Sequence, residues 1–282
     1  VLGIMPWLNE IFPPEDSLDL IERTTNKKQA EIEIAVIKLP HFSNYSDLDP
    51  LEYEKTVKLN WIKPGDDLKS PDAVIIPGSK QTIKDLERVH SSGLGKQLRN
   101  YGLNGGIILG ICGGMQMLGS ILEDPKRIES TNKLKGKTSI EGLNLMPITT
   151  RFESIKALKQ RNTSSLWPKE SYIQGFELHH GITSRNNLID KEIEQLTSEP
   201  ELGWVVLDRK TSGSITGTYL HGILDNGKWR RLWLNEIRAQ KGIGKLSIDE
   251  KNYQENRERI INRLTDEFVR NIDIEKLREV TE

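Results

Sequence analysis

The apolar run Ile107-Ile108-Leu109 leads into Gly110-Ile111-Cys112-Gly113-Gly114-Met115-Gln116, and this stretch constrains the chain more than any other. A buried strand that ends at a glycine-flanked cysteine can reverse sharply, because glycine admits conformations and close approaches that a Cβ forbids. Met115 to Leu118 can then begin a helix, so the segment reads as strand, tight turn and helix with a nucleophile on the turn. The positive end of that helix would favour a thiolate. Cys112 is the single cysteine of the 282 residues. A lone cysteine is more often a small inert core residue; the glycines around this one argue the other way.

A nucleophilic cysteine needs a base, and histidine serves near neutral pH. Of the five histidines, His221 stands out: Gly217-Thr218-Tyr219-Leu220-His221-Gly222 follows the β-prone Ser214-Ile215-Thr216, which puts the imidazole at a strand end before a glycine turn. His179 and His180, after Tyr172-Ile173-Gln174-Gly175-Phe176-Glu177-Leu178, come second. His41 follows Pro40 at the end of another strand, and His90 lies in a charged helical stretch that suits a solvated surface. Distance along the chain does not exclude a pairing of Cys112 with His221, because catalytic partners meet in the fold.

Around the cysteine the order is that of an α/β protein. Ile32 to Leu39, Asp72 to Pro77 and Gly106 to Ile111 read as apolar strands, with helical stretches at Gln81 to His90 and Gly93 to Tyr101. Such alternation predicts a mostly parallel sheet with helices on both faces. Ligands bind such sheets at the carboxyl ends of the strands, and Gly78, Cys112 and His221 all fall just past strand ends. Lys126 to Thr138 is polar and lysine-rich and reads as a mobile surface loop. Ile260, Ile261, Leu264, Phe268 and Ile272 recur at helical spacing, which predicts an amphipathic helix over Asn252 to Asn271, packed on the domain. Trp229 and Trp233, one turn apart, read as a core pair.

Lys and Arg total 40 against 41 Asp and Glu, so no general basic surface draws the chain to nucleic acid or anionic membranes. One cysteine excludes an intrachain disulfide and a thiolate cluster for zinc, and no metal site is expected. No apolar run is long enough to span a bilayer. The reading is of a cytoplasmic enzyme.

The Cys112 elbow, the segment ending in His221, and Ile76-Pro77-Gly78-Ser79-Lys80 together resemble a class I, triad-type glutamine amidotransferase domain, of flavodoxin-like fold. Three further segments narrow the resemblance to the glutaminase half of the cobyric acid synthase family. They are Leu39-Pro40-His41-Phe42-Ser43-Asn44-Tyr45-Ser46-Asp47-Leu48-Asp49-Pro50-Leu51, Gly142-Leu143-Asn144-Leu145-Met146-Pro147, and Gly175-Phe176-Glu177-Leu178-His179. The related a,c-diamide synthases are the nearest alternative, and a stand-alone cysteine hydrolase on the same elbow is a third reading. The resemblance implies that Cys112 attacks the glutamine side-chain amide, that His221 carries the proton, and that Gly78 and Gly113 offer backbone N–H groups to the oxyanion. It also places Gln116, Ser79 and His179 in the glutamine pocket.

By the same resemblance, Val1-Leu2-Gly3-Ile4-Met5-Pro6-Trp7-Leu8 and Pro14-Glu15-Asp16-Ser17-Leu18 match the end of an ATP-dependent synthetase domain. Residues 1–30 are then its remnant and linker, 31–245 the amidotransferase domain and 246–282 a helical tail. ATP, magnesium and the corrinoid substrate belong to the missing half, and no Gly-x-x-x-x-Gly-Lys-Ser/Thr phosphate loop occurs here. Many class I amidotransferases carry an acid two positions after the histidine, where this chain has Ile223. Glu177, Asp225 or a main-chain carbonyl are the candidates for orienting His221.

Overall fold

Short aliphatic runs that bury both faces build the middle of a sheet, and the computed structural model, which describes residues 1–6, 27, 29–129, 138–186, 192–208 and 210–281, sets several side by side. The strands are β1 (Ile32–Ile37), β2 (Val57–Ile62), β3 (Ala73–Ile76), β4 (Ile108–Ile111), β5 (Ile121–Glu123), β6 (Ser139–Glu141), β7 (Ile148–Ser165), β8 (Ser171–Arg185), β9 (Glu194–Gln195), β10 (Gly203–Asp208) and β11 (Gly213–Thr218). The helices are α1 (Asp49–Tyr53), α2 (Thr82–Ser91), α3 (Leu94–Leu103), α4 (Gly113–Leu118), α5 (Gly227–Lys241), α6 (Tyr253–Asn271) and α7 (Ile274–Thr281).

The larger sheet runs β2-β1-β3-β4-β11-β10-β9, parallel from β2 to β11 and antiparallel from there to β9. Its first five strands have the order of a flavodoxin-like doubly wound sheet, in which helical crossovers cover both faces. Every residue of β3, β4 and β11 is buried accordingly. The second sheet, β6-β5-β7-β8, is dominated by the long antiparallel β7–β8 hairpin, whose register shifts between Arg151 and Lys156. It reaches back to the first sheet where Phe176 and His221 exchange both backbone hydrogen bonds, at 3.1 and 2.8 Å.

The expected strands and helices all form, with ends moved by one or two residues. Trp229 and Trp233 are fully buried, their rings stacked at 6.4 Å. The tail helix forms as α6, but only Tyr253 and Ile260 of it are buried, while Ile261, Leu264 and Phe268 stay 37–48% exposed. The expected packing of that face on the domain is therefore limited to its first two turns. Gly3 forms an antiparallel bridge with Ile272, and Val1 and Ile4 project into solvent. Residues 7–26 and 130–137 lie outside the described residues, and with them Pro14 to Leu18 and most of the Lys126 to Thr138 loop. Among the described residues no helix is long and apolar enough to cross a membrane.

Trp229 also donates its indole N–H to the carbonyl of Trp167 at 3.0 Å, so it joins α5 to the turn between β7 and β8. Trp229→Ala should cost about 3–5 kcal/mol in denaturant-induced unfolding. A loss below about 1 kcal/mol would contradict a core role for this helix.

Candidate active site

Cys112 sits where β4 ends, with φ 52° and ψ −111°, strained values for a residue with a side chain. The neighbouring glycines are what allow them. A Cβ on Gly114 would lie 1.9 Å from the carbonyl oxygen of Ile76, and one on Gly110 would lie 2.6 Å from the Leu118 side chain. One on Gly113 would lie 3.0 Å from the backbone nitrogen of Ser79. The elbow is thus pressed against the Ile76 to Ser79 turn at the end of β3. The Cys112 backbone N–H donates to the Thr218 carbonyl at 2.7 Å, which fixes the cysteine beside the end of β11.

His221 follows that strand end and is fully buried. Its Nδ1 lies 2.7 Å from the Oδ2 of Asp47, whose Oδ1 accepts the Gly222 backbone N–H at 2.8 Å. Burial opposes a charge on the imidazole, but the Asp47 carboxylate, with a smaller pull from nearby Cys112, outweighs it and pushes His221 up to about 10. Phe176 stacks on the ring at 5.1 Å. The Asn44 side-chain nitrogen is 3.1 Å from both ring nitrogens, a position over the ring and not along either in-plane lone pair. Gly78 closes another side, since a Cβ there would come within 3.3 Å of His221 Cε1.

Asp47 therefore corrects the sequence reading of the orienting group. Glu177 is paired with Arg161 at 2.8 Å, and Asp225 is not among the hydrogen-bond partners of His221. Burial and the Asp47 charge push Asp225 up to about 7. Asp47 sits in the 3-10 turn Tyr45–Leu48, entered through Asn44 in the left-handed region at φ 53°. That loop is anchored by a second buried carboxylate, Asp85 of α2, which accepts from His41 N–H at 3.2 Å and from the Ser79 hydroxyl at 2.6 Å and lies 2.7 Å from His41 Nδ1. The orienting acid was reachable from sequence only as an acidic residue in a segment already singled out, Leu39 to Leu51; nothing local ties it to His221.

A cleft of about 300 Å³ opens over Cys112, lined by Asn44, Ser79, Gln116, His179 and Leu178 among others. Gln116 is buried and donates both amide hydrogens, to the His180 carbonyl and the Tyr219 hydroxyl, each at 3.0 Å. Its place is thus set by the fold. Ser79 lines the cleft too, but its hydroxyl is committed to Asp85. His179 stacks on Tyr219 at 3.5 Å, with Nδ1 3.2 Å from the Gly181 carbonyl. Burial lowers its pKa against the opposing pull of Glu177, so the ring is a neutral wall of the cleft. His90 stays at the surface, 2.9 Å from the Glu141 carbonyl.

A strained cysteine elbow, a histidine on the neighbouring parallel strand end and an acid holding one of its ring nitrogens thus lie together at the carboxyl edge of one sheet. Residues 33–229 match the CobB/CobQ-like glutamine amidotransferase domain, and the chain belongs to that family. It is 55% identical over 277 residues to a cobyric acid synthase of Prochlorococcus marinus, covering 98% of this chain and 54% of that protein. A cobyric acid synthase of a Synechococcus species is 51% identical, with 98% and 54% covered. The chain spans about half the length of the curated relatives it matches. Among solved structures, PurLQS from Thermotoga maritima resembles it at 15% identity and a TM-score of 0.47, over 69% of this chain and 89% of that one.

The His221–Asp47 pair carries a pH signature. A folded-state value above the ordinary 6.5 contributes stability that is complete below about pH 6.5 and is lost as pH rises through about 10. Asp47→Asn should cost about 3–5 kcal/mol near pH 6.5, because it leaves a buried cation unpaired. That gap should narrow toward pH 10; denaturation curves showing a gap that is flat or widens with pH would contradict the pairing.

Proposed function

We propose that the chain is the glutamine-hydrolysing part of a cobyric acid synthase, feeding ammonia to an ATP-dependent amidation of a corrinoid carboxylate carried out elsewhere in the protein. The observation that carries the hydrolytic half is Cys112 on the cleft wall with the buried His221–Asp47 pair close to it. The corrinoid half rests on identity above 50% to cobyric acid synthases across nearly the whole chain.

In this reading the Cys112 sulfur attacks the glutamine side-chain amide carbon. The carbonyl oxygen gathers negative charge that the Gly78 and Gly113 N–H groups receive, and neither position has a side chain in the way. His221 holds the thiol proton on the nitrogen facing Cys112, since Nδ1 is engaged by Asp47, and delivers it to the departing nitrogen. Breaking the carbon–nitrogen bond releases ammonia and leaves a glutamyl thioester. Water, deprotonated by the now neutral His221, attacks that thioester, and glutamate leaves as the thiol is restored. The buried, doubly anchored Gln116 and the His179 ring shape the wall against which glutamine lies. ATP and magnesium act outside this chain, whose sequence holds no phosphate loop. A working thiol fits a reducing compartment, and we place the reaction in the cytoplasm.

In the full-length protein Cys112→Ala should abolish glutamine-dependent amidation and leave free ammonia usable. Loss of both would mean a structural cysteine, and retention of both would remove Cys112 from the reaction. His221→Asn should lower glutamine hydrolysis on the order of a hundredfold or more. A drop of that size from His179→Asn instead would reassign the base. The chain alone should not bind magnesium-ATP saturably, and calorimetric binding would overturn the division of labour.

A further inference from the structure

The cleft over Cys112 also holds three charged side chains that the hydrolytic steps leave unused: Glu129, Lys80 and Lys156. Glu129 is held in place by a built turn. The fully buried Asp124 accepts the backbone N–H groups of Ile128 at 2.7 Å and Glu129 at 3.0 Å. The Glu129 carboxylate then reaches the start of α2, accepting the Ile83 N–H at 3.3 Å and meeting the Thr82 hydroxyl at 3.5 Å. No cation pairs with it among the described residues. Burial, helped by the Asp124 charge and opposed by the Ile83 and Thr82 groups, pushes its carboxyl up to about 7, as expected of a carboxylate drawn out of water without a counter-ion.

Lys80 and Lys156 are the complementary observation. Both line the same cleft, Lys80 from the turn after β3 and Lys156 from the point where β7 resumes its register with β8. Neither forms an ion pair among the described residues. Among the described residues the cleft thus offers one carboxylate and two ammonium groups outside any ion pair. An amino-acid substrate whose side-chain amide is at the sulfur presents one positive and one negative group at its other end. Charge-assisted hydrogen bonds to such groups are about twice as strong as neutral ones, and they distinguish a zwitterion from an uncharged amide.

We infer that Glu129, with Lys80 and Lys156, forms the subsite for the α-amino acid head of the substrate, Glu129 receiving the α-ammonium and the lysines the α-carboxylate. The assignment rests on glutamine being the amide hydrolysed at Cys112. It explains why a free carboxylate is brought to the cleft when a neutral acceptor would serve equally well to hold the Ile83 N–H. The subsite selects by charge at the end of the molecule where no bond changes, so it acts on KM more than on kcat.

The test compares glutamine with two analogues, each lacking one of its head-group charges, in the full-length protein with its glutaminase activity intact. Glu129→Gln keeps an oxygen acceptor for Ile83 and removes the charge. It should raise KM for L-glutamine roughly tenfold or more while kcat stays within a few-fold. The inhibition constant of glutaramate, which is glutamine without its α-amino group, should stay within about twofold. A parallel Lys80→Met, Lys156→Met double variant should raise KM for glutamine and leave the inhibition constant of glutamine α-methyl ester little changed. Equal weakening of glutamine and glutaramate by Glu129→Gln would make Glu129 a helix-anchoring group and overturn the proposal, as would an unchanged glutamine KM. Absence of glutamine hydrolysis in the unaltered protein would instead sink the proposed reaction, an outcome separate from the difference between ligands.

Discussion

The contact between Asp47 and His221 is the interaction to which the rest of the site is fitted. Two groups that would each be costly to bury alone are buried together, and the pair holds only because both carboxylate oxygens find donors, one on the ring and one on the Gly222 backbone. To bring the acid there, the chain after β1 must turn through the left-handed Asn44 and lie across the ends of β3 and β11. Asp85 secures the same loop from α2. On the other side β8 grips His221 by its backbone and covers its ring with Phe176. The imidazole is thus fixed by three segments far apart in sequence, and its tautomer is determined by which nitrogen Asp47 occupies.

What could be read from sequence follows the range of the forces involved. The β1, β3 and β4 strands announce themselves as aliphatic runs because they are buried on both faces, and the elbow announces itself because only glycine fits around Cys112. Both signals are local. The role of Asp47 is not local: the position that commonly holds the acid is Ile223, and the actual partner lies 174 residues earlier in a loop rich in Ser, Asn and Asp that reads equally well as a solvated turn. Glu177 and Asp225 were closer in sequence to the histidine, yet Arg161 claims the first, and the second answers its burial by a raised pKa. The β7–β8 hairpin was equally hidden, since stretches such as Arg151 to Arg161 carry charges on exposed faces and lack clean alternation. Helical periodicity gave α6 correctly but carried no information on what covers its apolar stripe.

The cleft over Cys112 shows a second kind of long-range order. Gln116 is held by Tyr219, whose hydroxyl contacts Thr183, which in turn meets Thr150 at 2.7 Å. A polar chain of this kind, buried between the two sheets, has each member satisfied by the next and so costs little to bury. It couples the pocket floor to the β7–β8 hairpin, and the Leu178 carbonyl, 3.5 Å from the Cys112 sulfur, belongs to the same hairpin. The second sheet therefore forms one wall of the cleft over Cys112 and is not an appendage to it.

The three groups of the site follow one another along the chain as Asp47, Cys112 and His221. A ribosome presents Asp47 first and His221 last, and at about 5–20 residues per second the 174 residues between them take roughly 10–30 s to synthesise. Once Cys112 has been added, the elbow can exist for the rest of that interval without His221, because β4 precedes β11 and the sheet lacks the strand whose end bears the histidine. In the proposed reaction the Cys112 sulfur of a nascent domain therefore gains its proton carrier only when the last parallel strand closes the sheet.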